Sequence, residues 1–555
     1  MKRLATLAAI AAGLIVATLV VGAAGVRSTA QAAPQVVCAH RLFIAAILGG
    51  GDSPPGSEQP VCGPGAPADF NGDGFADLAI GAIGEAEADI LNAGAVNVLY
   101  GSAGGLTAAG SQLWSQASEG VLGEPAADEY FGATLTPGDF DGDGFSDLAI
   151  GVPADDVGSV QAAGSFHVLY GSAAGLSANG NQLWTQDSDG VQDAAEFNDA
   201  FGAVLAAGDF NADGYADLAV GVVGENWEEV ADAGVVSVFY GSAVGLTAAG
   251  NQLWGQANLL VEDEAEASDH FGAALAAGDF DADGADDLAI GVPDEDLEGL
   301  LDPGAAHVLF GSAAGLSAER NQFWTQAQLG DEIGEVDRFG LGLAAGDFNA
   351  DSAVDLAIGV PFEIVDDEGA AGMAHVLFGG PNGPTGIGAQ IWTQNSDGVL
   401  DQSEVSDFLG WTLASGDLNG DGWDDLVIGA PGESLADQVG AGAATILYGS
   451  PAGLTAAGNQ FWRQDAVLIP DGAESGDAFG AVLSILDFNA DGYADLAVGV
   501  AFETVGKVAG AGAVNVSLGA AGGLLAEGSQ FWSQDSEGVA DDSSTNEYFG
   551  GALGR

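Results

Sequence analysis

Carboxylates placed two residues apart on a tight turn can bring their oxygens to one centre, and this chain writes that arrangement seven times. In the first copy, DFNGDGFADLAIG, Asp69, Asn71, Asp73 and Asp77 stand at positions 1, 3, 5 and 9, with Gly74 at position 6. The same register holds Asp139, Asp141, Asp143 and Asp147, then Asp209, Asn211, Asp213 and Asp217, then Asp279, Asp281, Asp283 and Asp287. It continues through Asp347, Asn349, Asp351 and Asp355, through Asp417, Asn419, Asp421 and Asp425, and ends with Asp487, Asn489, Asp491 and Asp495. A main-chain carbonyl at position 7 can complete the set, and glycine at position 6 allows the left-handed backbone of a sharp turn. Such turns also bond their own backbone, so one copy would be ambiguous; seven in register point to metal. Three or four hard carboxylate oxygens suit Ca2+, up to seven ions, where magnesium would keep more water. Without an ion the carboxylates repel one another, so the loops are expected to order only when metal is bound. In the fifth copy Ser352 takes the glycine's place, at a backbone cost of about 1 kcal/mol.

The copies begin at Asp69, Asp139, Asp209, Asp279, Asp347, Asp417 and Asp487, spaced by 70, 70, 70, 68, 70 and 70 residues. A period this regular means one supersecondary unit copied around an architecture. In the second copy the short run FGATLTPGDF leads into the acidic loop, and DLAIGVP follows as a buried strand. GSFHVLYGS and NQLWTQ supply two more strands, separated by the turn YGSAAGL. Four short antiparallel strands per unit predict an all-β fold, a seven-bladed β-propeller. The first acidic loop lacks a Phe-Gly strand before it, and Phe549-Gly-Gly-Ala-Leu553 has no acidic loop after it. The C-terminal strand is therefore expected to complete the first blade and close the ring. Trp114, Trp184, Trp254, Trp324, Trp392, Trp462 and Trp532 recur in the fourth strand, which reads as blade-to-blade packing. His167, His307 and His375 share one third-strand position in different blades and read as structural filling.

Phe-Gly, then GDFNGDGxxDLAIG, then GAxxVLYG is similar to the FG-GAP repeats of the integrin α-subunit head, over nearly everything from Asp69 to Leu553. The resemblance implies a seven-bladed propeller with calcium in the loops between first and second strands, and a ligand on the opposite face. Departures are Ser352 in the fifth loop and Leu409, read as inserted between Phe408 and Gly410 in the sixth. Similar repeats also accompany the catalytic domain of a glycosylphosphatidylinositol-cleaving phospholipase.

Acidic residues number 81 against 9 basic ones, a formal charge of −72. Such a surface excludes nucleic acid as a partner and repels anionic lipid. Seven divalent ions would cancel only 14 of those charges, so solubility or adaptation to salt accounts for the rest. Lys2 and Arg3 precede an uncharged run from Leu4 to Val26, and Ala30-Gln31-Ala32 offers a cleavage site, so residues 1–32 read as a signal peptide or a retained anchor. Residues 33–67 form a Gly/Pro-rich linker whose Cys38 and Cys62 are expected to pair in an oxidising compartment, and 68–555 form the propeller.

The protein is thus expected to be secreted or displayed on the cell surface, and to touch a membrane only if the N-terminal segment is retained. No Ser/His/Asp constellation, HExxH or inserted catalytic loop interrupts the repeats, which predicts a non-enzymatic, monomeric interaction or adhesion scaffold. Its partner would be an extracellular protein or glycan, met by the acidic connectors opposite the calcium face. Trp227, which breaks the repeat inside one connector, is the candidate anchor. A secreted hydrolase resembling the phospholipase, or a structural envelope component, are the alternatives.

Overall fold

A strand buried on one face alternates apolar and polar side chains, whereas runs such as DLAIGV and SFHVLY hardly alternate. Every residue of these second and third strands is buried, because each blade is sandwiched between two others. The computed structural model describes residues 68–554 apart from 89, 228–229, 257–263, 298, 467–468 and 471. The expected signal segment at 1–32, the linker at 33–67 and the pairing of Cys38 with Cys62 lie outside the described residues. Among those residues, no helix is long and apolar enough to cross a membrane.

Twenty-eight strands form seven antiparallel sheets of four. In the second blade, Thr134–Gly138 lies innermost, followed by Asp147–Val152, Ser165–Tyr170 and the outer strand Ser177–Trp184. The register runs Leu135 to Ile150, Ile150 to His167 and His167 to Leu183. Five further sheets repeat this in chain order. The remaining sheet joins the two ends of the described chain, with Phe549–Leu553 beside Leu78–Ala82. There Ile80 pairs with Leu553 and Gly81 with Ala552. The expected closure of the ring is what the structure shows.

Three sets of contacts join blade to blade. The Phe-Gly pair is the first: Phe201 is fully buried, and its N–H donates to the Ala163 carbonyl of the preceding blade. Gly202 has φ of 90°, and a Cβ there would stand 2.5 Å from the Ser165 carbonyl oxygen, so only glycine fits so close an approach. In the sixth blade Leu409 occupies the phenylalanine's place, donating to the Ala371 carbonyl and bridging Gly372. Leu409 is therefore a replacement and not an insertion, and Phe408 stands where Ala200 stands in the third blade, its ring edge-on to those of Phe362 and Trp411.

An outer belt of glutamines is the second set. The Nε2 of Gln112, Gln182, Gln252, Gln322, Gln390, Gln460 and Gln530 each donates to a carbonyl of the next blade at 3.0–3.1 Å, and Gln530 closes the circle onto Leu106. The recurring tryptophans end these outer strands and pack against the next blade, as Trp184 does on Phe239, 5.2 Å between ring centroids. The third set belongs to the acidic loops.

The single short period is local. Between Trp324 and Phe339 the connector is two residues shorter than its counterparts and winds into the helix Gln326–Leu329. His167 and His307 are fully buried among aromatic rings with no hydrogen-bond partner, and burial lowers them to about 4 and about 3, so both are neutral fillers.

Truncating a buried phenylalanine costs about 3–5 kcal/mol. If closure matters as much as any other junction, Phe549→Ala and Phe201→Ala should lower stability by similar amounts in denaturant titrations. A Phe549→Ala loss below about 1 kcal/mol would contradict a closed ring.

Candidate metal centre

In the second acidic loop, Asp139 ends the turn out of the innermost strand and Asp147 begins the next strand. Gly142 and Gly144, at φ of 72° and 92°, curl the chain between them. The Oδ1 of Asp139 accepts the N–H groups of Gly142 and Asp143 at 2.7 and 3.1 Å, and its Oδ2 accepts that of Gly144 at 3.1 Å. Asp141 and Asp143 each accept an N–H two residues on. One oxygen from each of Asp139, Asp141 and Asp147 lies within 4.8 Å of the others, and Asp279, Asp281 and Asp287 repeat the arrangement. The structure therefore brings positions 1, 3 and 9 together, with position 5 exposed at the rim. Ser352 adopts the left-handed conformation at φ of 77° and still donates to Asp347 at 3.0 Å, as the glycines do.

Position 9 does more than complete a ligand set. Asp77, Asp147, Asp217, Asp287, Asp355, Asp425 and Asp495 are all fully buried. The Oδ1 of each accepts the N–H of a glycine at the end of the third strand, at 2.8–2.9 Å. In six of them Oδ2 also accepts the N–H of position 2, at 2.9–3.0 Å. Burial pushes these carboxyls up, to about 7 at Asp495, about 8 at Asp77 and about 9 at Asp147 and Asp287.

The loops also hold one another. The position-1 carbonyl of each accepts the position-8 N–H of the next, from Ser146 to Asp69 round to Ala76 on Asp487, at 2.9–3.2 Å. Within each loop, backbone N–H groups also meet the position-1 carboxylate, as those of Gly142, Asp143 and Gly144 meet Asp139, which adds to the belt.

A cation fits this donor set. The third loop leaves Asn211 Oδ1 and Asp217 Oδ2 buried with no hydrogen-bond partner, and the fifth leaves Asn349 Oδ1 so. All are hard oxygen acceptors, which a divalent ion would satisfy. The fourth loop differs, because the Arg320 guanidinium from the outer strand pairs with Asp281.

A second acidic set escaped the sequence reading. On the connector face Gln186, two residues after Trp184, donates to Glu225 of the next blade at 2.5 Å. Asp199, two residues before Phe201, joins Glu225 and Glu196 with one oxygen of each within 4.8 Å of the others. The signal was available: glutamine stands two residues after every recurring tryptophan, and an acidic residue three after every second strand. Trp227 is half-buried, and its ring lies against Gly255, where other blades carry larger residues. It covers a neighbouring loop more than it offers a free anchor.

The FG-GAP repeat model matches residues 65–99, 131–169, 201–239, 271–309, 339–377, 409–447 and 479–516, beginning in the sixth repeat at Leu409. Integrin alpha-PS2 of Drosophila melanogaster is 29% identical over 248 residues, 43% of this chain and 16% of that protein. Phosphatidylinositol-glycan-specific phospholipase D of Bos taurus is 39% identical over 117 residues, 21% of this chain and 14% of that protein. The chain thus spans about a sixth or less of the length of these relatives. Among solved structures, rhamnogalacturonan lyase YesW aligns over 82% of this chain and 75% of its own, at TM-score 0.36 and 12% identity. The expectation that the chain is not an enzyme is overturned here, since the sequence relatives it matches include an enzyme, the phospholipase. Regular blades do not speak against catalysis, because repeats of this kind also occur inside an enzyme.

Two tests follow from the buried aspartates. Asp147→Ala strands two buried N–H groups and should cost about 2–4 kcal/mol even in chelator, whereas the exposed Asp143→Ala should change stability in chelator by less than about 0.5 kcal/mol. Equal losses would refute the anchoring role. The position-9 carboxyls also bind protons more tightly folded than unfolded, so their ionisation opposes folding. In chelator the melting midpoint should fall as pH rises from about 5 to about 9, with the two buried histidines acting oppositely below about 6.5. A midpoint that climbs across the upper range would contradict this.

Proposed function

Since the chain is an FG-GAP repeat protein built as an integrin-α-like propeller, we propose that it is a calcium-stabilised interaction scaffold working outside the cell or on its surface. Ca2+ would be held by Asp139, Asp141, Asp143 and Asp147 and their counterparts in the other six loops. When bound, it supplies positive charge where buried carboxylates face one another. The partner is an extracellular protein or glycan, and the connector face meets it.

One observation carries that choice of face. Among the described residues, nine of the thirteen exposed large hydrophobic side chains stand on connectors, among them Leu91, Phe197, Leu301, Ile364, Leu400 and Val405. Phe197 is 71% exposed and Leu400 63%. This concentration of exposed apolar side chains on one face favours it as the contact surface. The loop face has its backbone groups engaged in the belt that joins the blades. The propeller acts as a monomer, shuns nucleic acid and meets a membrane only through residues 1–32 if they are retained. The bovine phospholipase favours a second reading, in which the propeller works beside the cleavage of lipid-linked glycans.

At ion concentrations of 100 times the dissociation constant each calcium site would add about 2.7 kcal/mol. Thermal melting in calcium should therefore lie well above that in chelator, and coincident midpoints would end the calcium reading. Phe197→Ser combined with Leu400→Ser should weaken capture of extracellular protein or glycan at least tenfold with unchanged melting, while Val244→Ser on the opposite face should not. Turnover of glycosylphosphatidylinositol by the whole chain would decide for the second reading.

A further inference from the structure

The connector-face carboxylates lie outside the seven acidic loops, and their geometry is that of a built site. At the junction of the second and third blades, Gln186 arrives from the outer strand of one blade, while Asp199 and Glu225 come from the other. Gln186, Asp199 and Glu225 are all at least 97% buried. Gln186 Nε2 donates to Glu225 Oε2, and Asp199 Oδ2 accepts the Glu196 N–H. That leaves Gln186 Oε1 and Asp199 Oδ1 with no hydrogen-bond partner, both sealed from solvent. The unsatisfied atoms are acceptors, beside three carboxylates that share one small volume. Among the described residues, no basic side chain forms an ion pair with any of these carboxylates.

Two further junctions carry the same parts. Gln394 Nε2 donates to Glu433 and Asp401 at 2.8 and 3.1 Å, its Oε1 is buried without a partner, and Glu404, Asp407 and Glu433 bring one oxygen each within 4.8 Å of the others. Gln256 donates to Glu295, its Oε1 is likewise buried and unpartnered, and Glu266, Asp269 and Glu295 form the cluster. Buried acceptors without donors cost free energy until something positive reaches them. A divalent ion among the three carboxylates of a junction would bring that charge, and hard oxygens select the calcium class.

We propose that the blade junctions hold a second set of divalent-cation sites, on the face opposite the acidic loops, formed at the 2/3 junction by Glu196, Asp199, Glu225 and the Gln186 amide. An ion there bridges two blades, because Gln186 and Glu225 belong to different ones. The burial that raises Glu225 to about 8 and Asp199 to about 6 makes a shared proton the competing occupant. This inference stands apart from the calcium reading of the acidic loops.

The test is anomalous scattering from wild-type crystals soaked in Tb3+, a calcium surrogate. A peak bounded by Glu196, Asp199 and Glu225 is expected. Peaks confined to the acidic loops would overturn the junction sites and leave the loop reading intact, and peaks at the junctions alone would do the reverse. In solution, equilibrium dialysis against calcium should show Asp199→Asn with Glu225→Gln binding one equivalent less than wild type. An unchanged count would assign the cluster to a proton. If that variant fails to fold, the wild-type crystal measurement decides alone.

Discussion

At the head of every second strand sits an aspartate removed from water, and two remote pieces of one blade reach for it. Asp147 receives the Phe140 N–H from the acidic loop and the Gly171 N–H from the end of the third strand. A buried carboxylate is tolerated only where its lone pairs are filled, so this contact dictates how the hairpin folds back. It sets the loop's height, and that height lets the Asp139 carbonyl meet the next blade's Ala216 N–H. Remove the aspartate and both the blade and its seam to the neighbour lose their reference point.

The same economy divides the molecule into two faces. On one, short loops of fixed length spend their backbone groups on ring closure. On the other, second-to-third connectors of equal length and fourth-to-first connectors of variable sequence carry free apolar side chains and the glutamine–carboxylate junctions. Charge explains part of the contrast. Among the described residues only Arg320, Arg338, Arg463 and Lys507 are basic, so attraction between side chains contributes little to holding blades together. Backbone hydrogen bonds, packed phenylalanines and whatever cations the carboxylates gather must do it.

Much of this was legible in the residues. The loop register, the four strands and the completing segment Phe549–Leu553 could all be read, because each is a local pattern repeated seven times. Leu409 was misread, since adjacency to Phe408 suggested an extra residue, whereas the close approach at Gly372 sets which side chain enters the core. Trp227 looked like a free anchor because its partner, Gly255, is 28 residues away and signals nothing by itself. The Gln186–Glu225 junction joins residues 39 apart in two different blades, and single acids vanish among 81. The N–H groups that meet each position-1 carboxylate depend on backbone direction, which composition does not display.

The seam in the first blade has a mechanical meaning. Ile80 lies beside Leu553 in antiparallel order, so the strand ends nearest residues 78 and 553 are neighbours. Tension applied between them would strip the pairing one rung after another, where a parallel seam would bear the load on all rungs together. A molecule held by one end and tugged by the other would thus open at this zipper first, with six sheets still intact.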